Sequence, residues 1–89
     1  MFEYDPDKSA ANLAKHGIDF EQAQALWRDD ERAEVVSRWG AEERWLLMAK
    51  IDDQHWTAVY TVRDTNIRII SVRRSRANEV KDYDSRKDN

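Results

Sequence analysis

The spacing of apolar residues changes near residue 33 of this chain, and this change limits the possible folds more than any other feature. From Pro6 to that point, apolar residues recur every three or four positions, which is typical of helices; from there to Arg73, they alternate with polar residues, which is typical of strands. The alternating part divides into four predicted strands: Glu34–Trp39, Arg44–Ile51, His55–Arg63 and Ile67–Arg73. Only short polar loops separate them, so consecutive strands are predicted to be antiparallel.

Three helices are predicted around these strands. The first begins at Asp5–Pro6, a helix-start pair, and runs to about His16. Gly17 then supplies the left-handed conformation that ends it. The second starts at a capping box, Asp19–Gln22. The third follows Ser75, which we expect to be its N-cap.

With a short strand at Phe2–Tyr4, the predicted order is β-α-α-β-β-β-β-α. This order describes an α+β domain whose helices pack on an antiparallel sheet. The chain is long enough for one domain, residues 1–89, and we expect residues 85–89 to be frayed. The sequence has no cysteine, no signal-peptide pattern and no apolar run of bilayer length, which predicts a cytoplasmic protein without cofactor, metal or membrane contact.

One turn determines which strand residues share a face. A two-residue turn at Asp52–Asp53 pairs Ala49 with Trp56 and Trp45 with Tyr60, giving an apolar face that we call the core face. We call the opposite face the polar face. Its predicted members are Arg44, Lys50, His55, Thr57, Thr61 and Arg63, together with Leu46, Met48 and Val59.

The next loop decides where the later arginines lie. A three-residue loop, Asp64–Asn66, is preferred because it keeps each face chemically consistent. It places Arg73 with Arg63 on the polar face and Arg68 near the edge of the core face. A two-residue loop would exchange Arg68 for Arg73, and a β-bulge would break this parity.

Arginines that converge on one face suit phosphate, because planar guanidinium groups bind its oxygens bidentately and stay charged. Residues 63–89 are net basic although the whole chain carries a net charge of −3, so a local site for a polyanion is compatible with the composition. The alternative is that each arginine only pairs with a nearby carboxylate. The available carboxylates are Glu42, Glu43, Asp64 and Glu79.

Several short motifs follow one another along almost the whole chain. In the first half they are Phe2–Pro6, Asn12, Lys15–Ile18, and Phe20 with Ala23. In the second half they are Glu43–Arg44, Tyr60–Arg63, Arg68–Ser71 with Arg73, and Glu79 with Tyr83. Together, in this order, they resemble the BrnT family of bacterial toxins.

The resemblance implies a RelE-like ribonuclease fold and a type II toxin that inhibits translation by cutting RNA. It also implies a partner, a BrnA-like antitoxin with a ribbon-helix-helix DNA-binding region. The complex would bind operator DNA only through that antitoxin and repress its own operon.

Cutting RNA without a metal, by attack of the neighbouring 2′-hydroxyl, requires cations at phosphorus, a base and an acid. The first candidates for the cations are Arg63 and Arg73, and the next are Arg44 and Arg68. The candidates for base and acid are His16, Glu79 and Tyr83. Their alternative roles are a helix end, an orienting ion pair and a core tyrosine, respectively. Trp39 and Trp56 are candidates for stacking on bases, although most tryptophans in so small a domain belong to the core.

Two other functions stay open. One is a nucleic-acid-binding or regulatory module that uses the same arginines without catalysis. The other is a protein-interaction subunit whose basic face binds an acidic segment of its partner.

Overall fold

The computed structural model describes residues 1–39 and 42–87; the side chains of residues 38, 39, 42, 86 and 87 are not described. The elements are β1 (Phe2–Glu3), α1 (Pro6–His16), a 3₁₀ helix (Gln22–Arg28), β2 (Ala33–Trp39), β3 (Glu42–Ile51), β4 (Gln54–Arg63), β5 (Asn66–Arg74) and α2 (Ala77–Lys87). The α+β class is confirmed. The predicted loop is Gly40–Glu43; residues 40 and 41 lie outside the described residues, whereas Glu42 and Glu43 belong to β3 and not to a loop. The fraying of residues 85–89 stays a prediction.

The sheet has five strands in the order β1-β5-β4-β3-β2, and it is mixed. Strands β2 to β5 are antiparallel neighbours, whereas β1 lies parallel to β5 and pairs Glu3 with Arg68. The expectation of a purely antiparallel sheet is therefore wrong. Hairpin loops determine the directions of β2 to β5 only, while β1 is separated from the meander by two helices.

Helix α1 follows its predicted start and stop, whereas α2 begins at Ala77, so Arg76 and not the predicted Ser75 precedes it. The Asp5 carboxylate accepts a hydrogen bond from the Asp7 amide at the start of α1, and Gly17 ends α1 with φ of 82°. The capping box is present, since Asp19 and Gln22 each accept from the amide of the other. The helix that follows is 3₁₀, not α as predicted, a geometry common in short segments. Within the described residues, neither α1 nor α2 has the length and apolar character that crossing a membrane requires.

Helices cover both faces of the sheet. The core face is covered by α1 and the 3₁₀ helix. The buried cluster there consists of Ile18, Phe20, Ala23, Leu26, Leu47, Ala49, Trp56, Ala58, Tyr60, Ile69 and Val72. On the polar face, Tyr83 of α2 packs against Ala33 and Met48 in a smaller cluster. The polar face is therefore only partly open.

The β3–β4 turn is the one predicted. Asp52 and Asp53 both have positive φ, 49° and 66°, which is the geometry of a two-residue turn between twisted strands. Ala49 faces Trp56 as a result, and the predicted register of β3 with β4 is confirmed.

The β4–β5 connection differs from the prediction. Its turn has two residues, Asp64–Thr65, so Thr61 faces Arg68. Near the middle of the β4–β5 pair, a β-bulge then shifts the pairing by one residue, so Thr57 faces Arg73. Because the extra residue reverses the parity partway along β5, Arg68 and Arg73 both lie on the polar face. The prediction that Arg68 lies near the edge of the core face is wrong. It assumed a three-residue loop and a regular strand, whereas the structure has a two-residue turn and a β-bulge.

Asn12 closes the outer edge of β5 beyond the short pairing with β1. Its Nδ2 donates to the carbonyls of Ile18 (2.7 Å) and Val72 (2.9 Å), and its Oδ1 accepts from the Val72 amide (3.2 Å). The side chain is buried. One amide thus satisfies main-chain groups that another strand would otherwise satisfy.

Replacing Asn12 should destabilise the fold. Asn12→Ala leaves the Val72 amide and two carbonyls buried without these partners, so we expect the free energy of unfolding to fall by on the order of 3 kcal/mol. Urea denaturation measures this as a lower midpoint with an unchanged slope. The control is Asn78→Ala on the exposed side of α2, which should leave the midpoint nearly unchanged; equal midpoints for the two variants would refute the role of Asn12.

Candidate active site

A row of five residues crosses the polar face, one from each strand. In spatial order they are Ser37, Arg44, Thr61, Arg68 and Glu3. Ser37 faces Arg44, and Arg68 lies between Thr61 and Glu3. The register of β3 and β4 sets Arg44 beside Thr61. We call this set the arginine row.

The arginines of the row are close enough to act on one phosphodiester. Neighbouring strands are about 4.8 Å apart, so the Cα atoms of Arg44 and Arg68 are separated by about 10 Å. Arg63 lies on the same face of β4, two residues or about 7 Å beyond Thr61. Arg44 and Arg63 are exposed, and Arg68 is half-buried. Their long side chains can converge over Thr61, whose hydroxyl donates to the Glu43 carbonyl (3.2 Å).

Glu3 is the charged residue of this row that the sequence did not mark as a site candidate, although it lies within the Phe2–Pro6 motif. Its Oε1 lies 3.8 Å from Arg68 Nη1, and its side chain is 35% exposed. Alternation in Phe2–Tyr4 separates Glu3 from the two flanking aromatic rings. The same alternation does not reveal which strand lies beside β1, so the proximity of Glu3 to the arginines emerges only from the fold.

Arg73 occupies a different part of the polar face. It faces Thr57, which lies four residues, or about 13 Å, along β4 from Thr61. The Arg73 guanidinium binds Glu79 bidentately, with Nη1–Oε1 at 2.7 Å and Nη2–Oε2 at 2.9 Å. Arg63 lies about 20 Å along β4 from Thr57. The two arginines preferred from the sequence are therefore not brought together.

Glu79 is the most fully satisfied carboxylate on this face. Its Oε1 also accepts from the Thr57 hydroxyl (3.0 Å) and the Arg76 amide (2.8 Å), and its side chain is 7% exposed. Burial alone would raise the pKa of Glu79, but the hydrogen bonds from Arg73, the Arg76 amide and Thr57 lower it to about 2. The hydrogen bond to Glu79 raises the pKa of Arg73 in turn. These contacts hold α2 on the sheet and leave Glu79 a weak base.

Tyr83 is engaged at the opposite end of the sheet from the arginine row. Its hydroxyl donates to Asp29 Oδ2 (2.7 Å), which also accepts from the Lys50 amide (3.0 Å). Burial and the hydrogen bond to Asp29 raise the pKa of Tyr83. A cleft of about 490 Å³ adjoins this cluster. The cleft lining is Ala25, Arg28, Asp29, Glu31, Lys50, Asp53 and Tyr83.

Neither histidine joins the arginine row. His16 is the last residue of α1, which packs on the other side of the sheet. His55 lies beside α2, where its ring meets the Tyr83 ring edge-on and its Nε2 is 3.5 Å from Asp84 Oδ1. Among the side chains that the structure describes, no group of three His, Asp or Glu residues could hold a metal ion.

Of the two candidate stacking residues, Trp56 is not an exposed platform. Trp56 is buried in the core, with the Arg74 guanidinium 5.2 Å from its ring centroid. The side chain of Trp39 lies outside the described part of the chain.

Comparison with known protein families gives one match. Residues 4–79 match the family model described as the ribonuclease toxin, BrnT, of type II toxin-antitoxin systems. The matched segment contains the whole arginine row except Glu3, which lies one residue before it. No curated protein matches the chain.

The lowered pKa of Glu79 predicts how stability depends on pH. The pKa is about 2 in the folded chain and about 4.5 for an unperturbed glutamate, so the folded state favours the ionised form. This contribution, on the order of 3 kcal/mol, is present above pH 4.5 and is lost as the pH falls towards 2.

Urea denaturation of the wild type and of Glu79→Gln across this pH range tests the linkage. The wild type should lose its stability advantage over the variant as the solution is acidified. Glu21→Gln, which removes an exposed carboxylate from the start of the 3₁₀ helix, should follow the wild type. A constant difference between wild type and Glu79→Gln at all pH values would contradict the prediction.

Proposed function

Because this chain belongs to the BrnT family, the ribonuclease toxins of type II toxin–antitoxin systems, we propose that it is an endoribonuclease that cuts RNA at the arginine row and so inhibits translation. One observation carries the assignment of the site: strands from three parts of the sequence place Arg44, Arg63 and Arg68 together on the open part of the polar face. The proposal includes the RelE-like fold that the motifs imply. The observed architecture, in which helices cover both faces of one sheet, is compatible with that fold.

The arginine row suits the electrostatic demands of RNA cleavage. As the 2′-oxygen attacks phosphorus, negative charge builds on the two non-bridging oxygens. Guanidinium groups from Arg44 and Arg68 approach from opposite sides of Thr61 and can each donate two hydrogen bonds to those oxygens. Arg63, farther along β4, is placed to hold an adjacent phosphate. No step in this scheme requires a metal ion.

The other candidates fit supporting roles better. Arg73 uses both ends of its guanidinium on Glu79, so we assign to this pair the positioning of α2. Tyr83 donates its hydroxyl proton to Asp29, and His16 lies behind the sheet. Arg73, Glu79, Tyr83 and His16 thus each have a structural contact or location that competes with the catalytic role for which the sequence made them candidates.

The partner in this proposal is a BrnA-like ribbon-helix-helix antitoxin that neutralises the toxin by covering the arginine row. Next to the row lie Val35, Leu46 and Val59, which are exposed or half-buried and continue across three strands. An amphipathic acidic segment would meet both the apolar residues and the arginines. Operator DNA is then bound only through the antitoxin, and the toxin acts in the cytoplasm, where mRNA is translated.

Expression of single variants tests the site. Arg44→Ala and Arg68→Ala should each relieve growth arrest and slow RNA cleavage by the purified protein about 100-fold, because each removes a donor to the developing charge. Lys8→Ala, which removes a positive charge from the exposed side of α1, is the control and should arrest growth like the wild type. Undiminished arrest by both arginine variants, at equal protein levels, would rule out the arginine row.

The chemistry of the cut ends tests the mechanism separately. Attack by the 2′-hydroxyl leaves a 2′,3′-cyclic phosphate and a 5′-hydroxyl, so cleavage should persist in a chelator and stop when the scissile nucleotide is 2′-deoxy. A 5′-phosphate product would contradict the mechanism but not the ribonuclease assignment. RNA binding without cleavage, on free RNA and on translating ribosomes, would instead favour the non-catalytic binding module.

A further inference from the structure

We propose that Glu3 is the general base that takes the proton from the attacking 2′-hydroxyl of the RNA. This inference rests on the proposed function and adds a residue outside the segment that matches the family model. It depends on three observations. These are the position of Glu3, the accessibility of its carboxylate, and the contacts or positions that set the other described carboxylates apart from the arginine row.

The position of Glu3 is held from both sides of β1. The Met1 carbonyl accepts a hydrogen bond from the Ile67 amide at 2.8 Å, which fixes β1 against β5. The Phe2 ring packs edge-on against Trp27 at 5.0 Å between centroids, on the core side. Since successive strand residues point to opposite faces, Glu3 is directed to the polar face beside Arg68.

The carboxylate of Glu3 is available to accept a proton. Its contact with Arg68 is an ion pair at 3.8 Å, longer than a hydrogen bond, and about a third of the side chain is exposed. Arg68 can therefore orient the carboxylate while its oxygens still have free lone pairs. Glu79 differs in every respect, because it accepts four hydrogen bonds and is buried.

No other described acidic side chain on the strands occupies this position. Glu34 accepts a hydrogen bond from the Tyr60 hydroxyl on the core side. Glu43 is adjacent to Arg44 in sequence and so points to the face opposite the arginine row. Glu3 is thus the described strand carboxylate that adjoins the proposed phosphate site.

The proposed step balances without a co-reactant other than water. Glu3 takes the 2′-hydroxyl proton as the 2′-oxygen bonds to phosphorus, and the bond from phosphorus to the 5′-oxygen breaks with its electron pair staying on that oxygen. Water protonates the leaving oxygen, and the hydroxide that remains takes the proton from Glu3. The products are a 2′,3′-cyclic phosphate and a 5′-hydroxyl, and Glu3 is again a carboxylate.

The experiment compares the pH dependence of RNA cleavage by the wild type, Glu3→Gln and Glu21→Gln under single-turnover conditions. General-base catalysis contributes roughly 100-fold or more, so Glu3→Gln should slow cleavage by at least that factor. The wild-type rate should rise with pH and level off once the base is ionised, whereas the Glu3→Gln rate should keep rising with hydroxide concentration. Glu21→Gln, with the same change of charge, should keep the wild-type profile.

Two further measurements separate catalysis from structure. Glu3→Gln should bind RNA at least as tightly as the wild type, because it removes a negative charge beside the phosphate, and its melting temperature should stay close to that of the wild type. Glu3→Asp keeps a carboxylate one methylene shorter, so it should retain the levelling of the pH profile at a reduced rate.

The outcomes distinguish this inference from the function on which it rests. If the wild type cuts no RNA, free or on translating ribosomes, the proposed function is wrong and the role of Glu3 with it. If the wild type cuts RNA and Glu3→Gln shows the same profile and rate, the function stands and Glu3 is not the base. A slower Glu3→Gln that still levels off like the wild type would show that Glu3 only positions Arg68.

Discussion

The β-bulge between β4 and β5 is the constraint on which both faces of the sheet depend. On the core side, Ile69 and Val72 are an odd number of residues apart, yet both are buried there. On the polar side, Arg68 and Arg73 are also an odd number apart, and both lie there. A regular strand cannot meet either requirement, because its side chains alternate strictly. One inserted residue satisfies both requirements. As a result, β5 has side chains on the core face and on the polar face both before and after the bulge.

The sequence predicted the elements well and the site only in part, for identifiable physical reasons. Alternation and turn residues define β2 to β5, and the Asp52–Asp53 turn gives the register of β3 with β4, because these signals are local. The bulge has no local signal of its own, so the faces of Arg68 and Arg73 could not both be derived. The pairing of β1 with β5 joins opposite ends of the chain, and Glu3 was overlooked for that reason.

The polar face is divided between two uses of charge. Under α2, Glu79 is buried and Arg73 is half-buried, and the two bind each other, so their charges stabilise a helix position and are poorly placed to react. In the arginine row, the charged groups are more exposed and Arg68 has a longer contact with Glu3. The same residue types thus act as structure in one half and remain available to a substrate in the other. The charged side chains under α2 and those of the arginine row differ in exposure and in the number of hydrogen bonds they make, more than in residue type.

Asn12 protects one stretch of the β5 edge from pairing with another chain. An uncovered strand edge offers amides and carbonyls to any other chain in extended conformation, and such edges seed intermolecular sheets. At Val72 the outer amide and carbonyl of β5 bond to the Asn12 side chain and not to another strand. Mutational drift at position 12 would therefore expose a template for aggregation, and selection against that hazard would act on Asn12 independently of any activity at the arginine row.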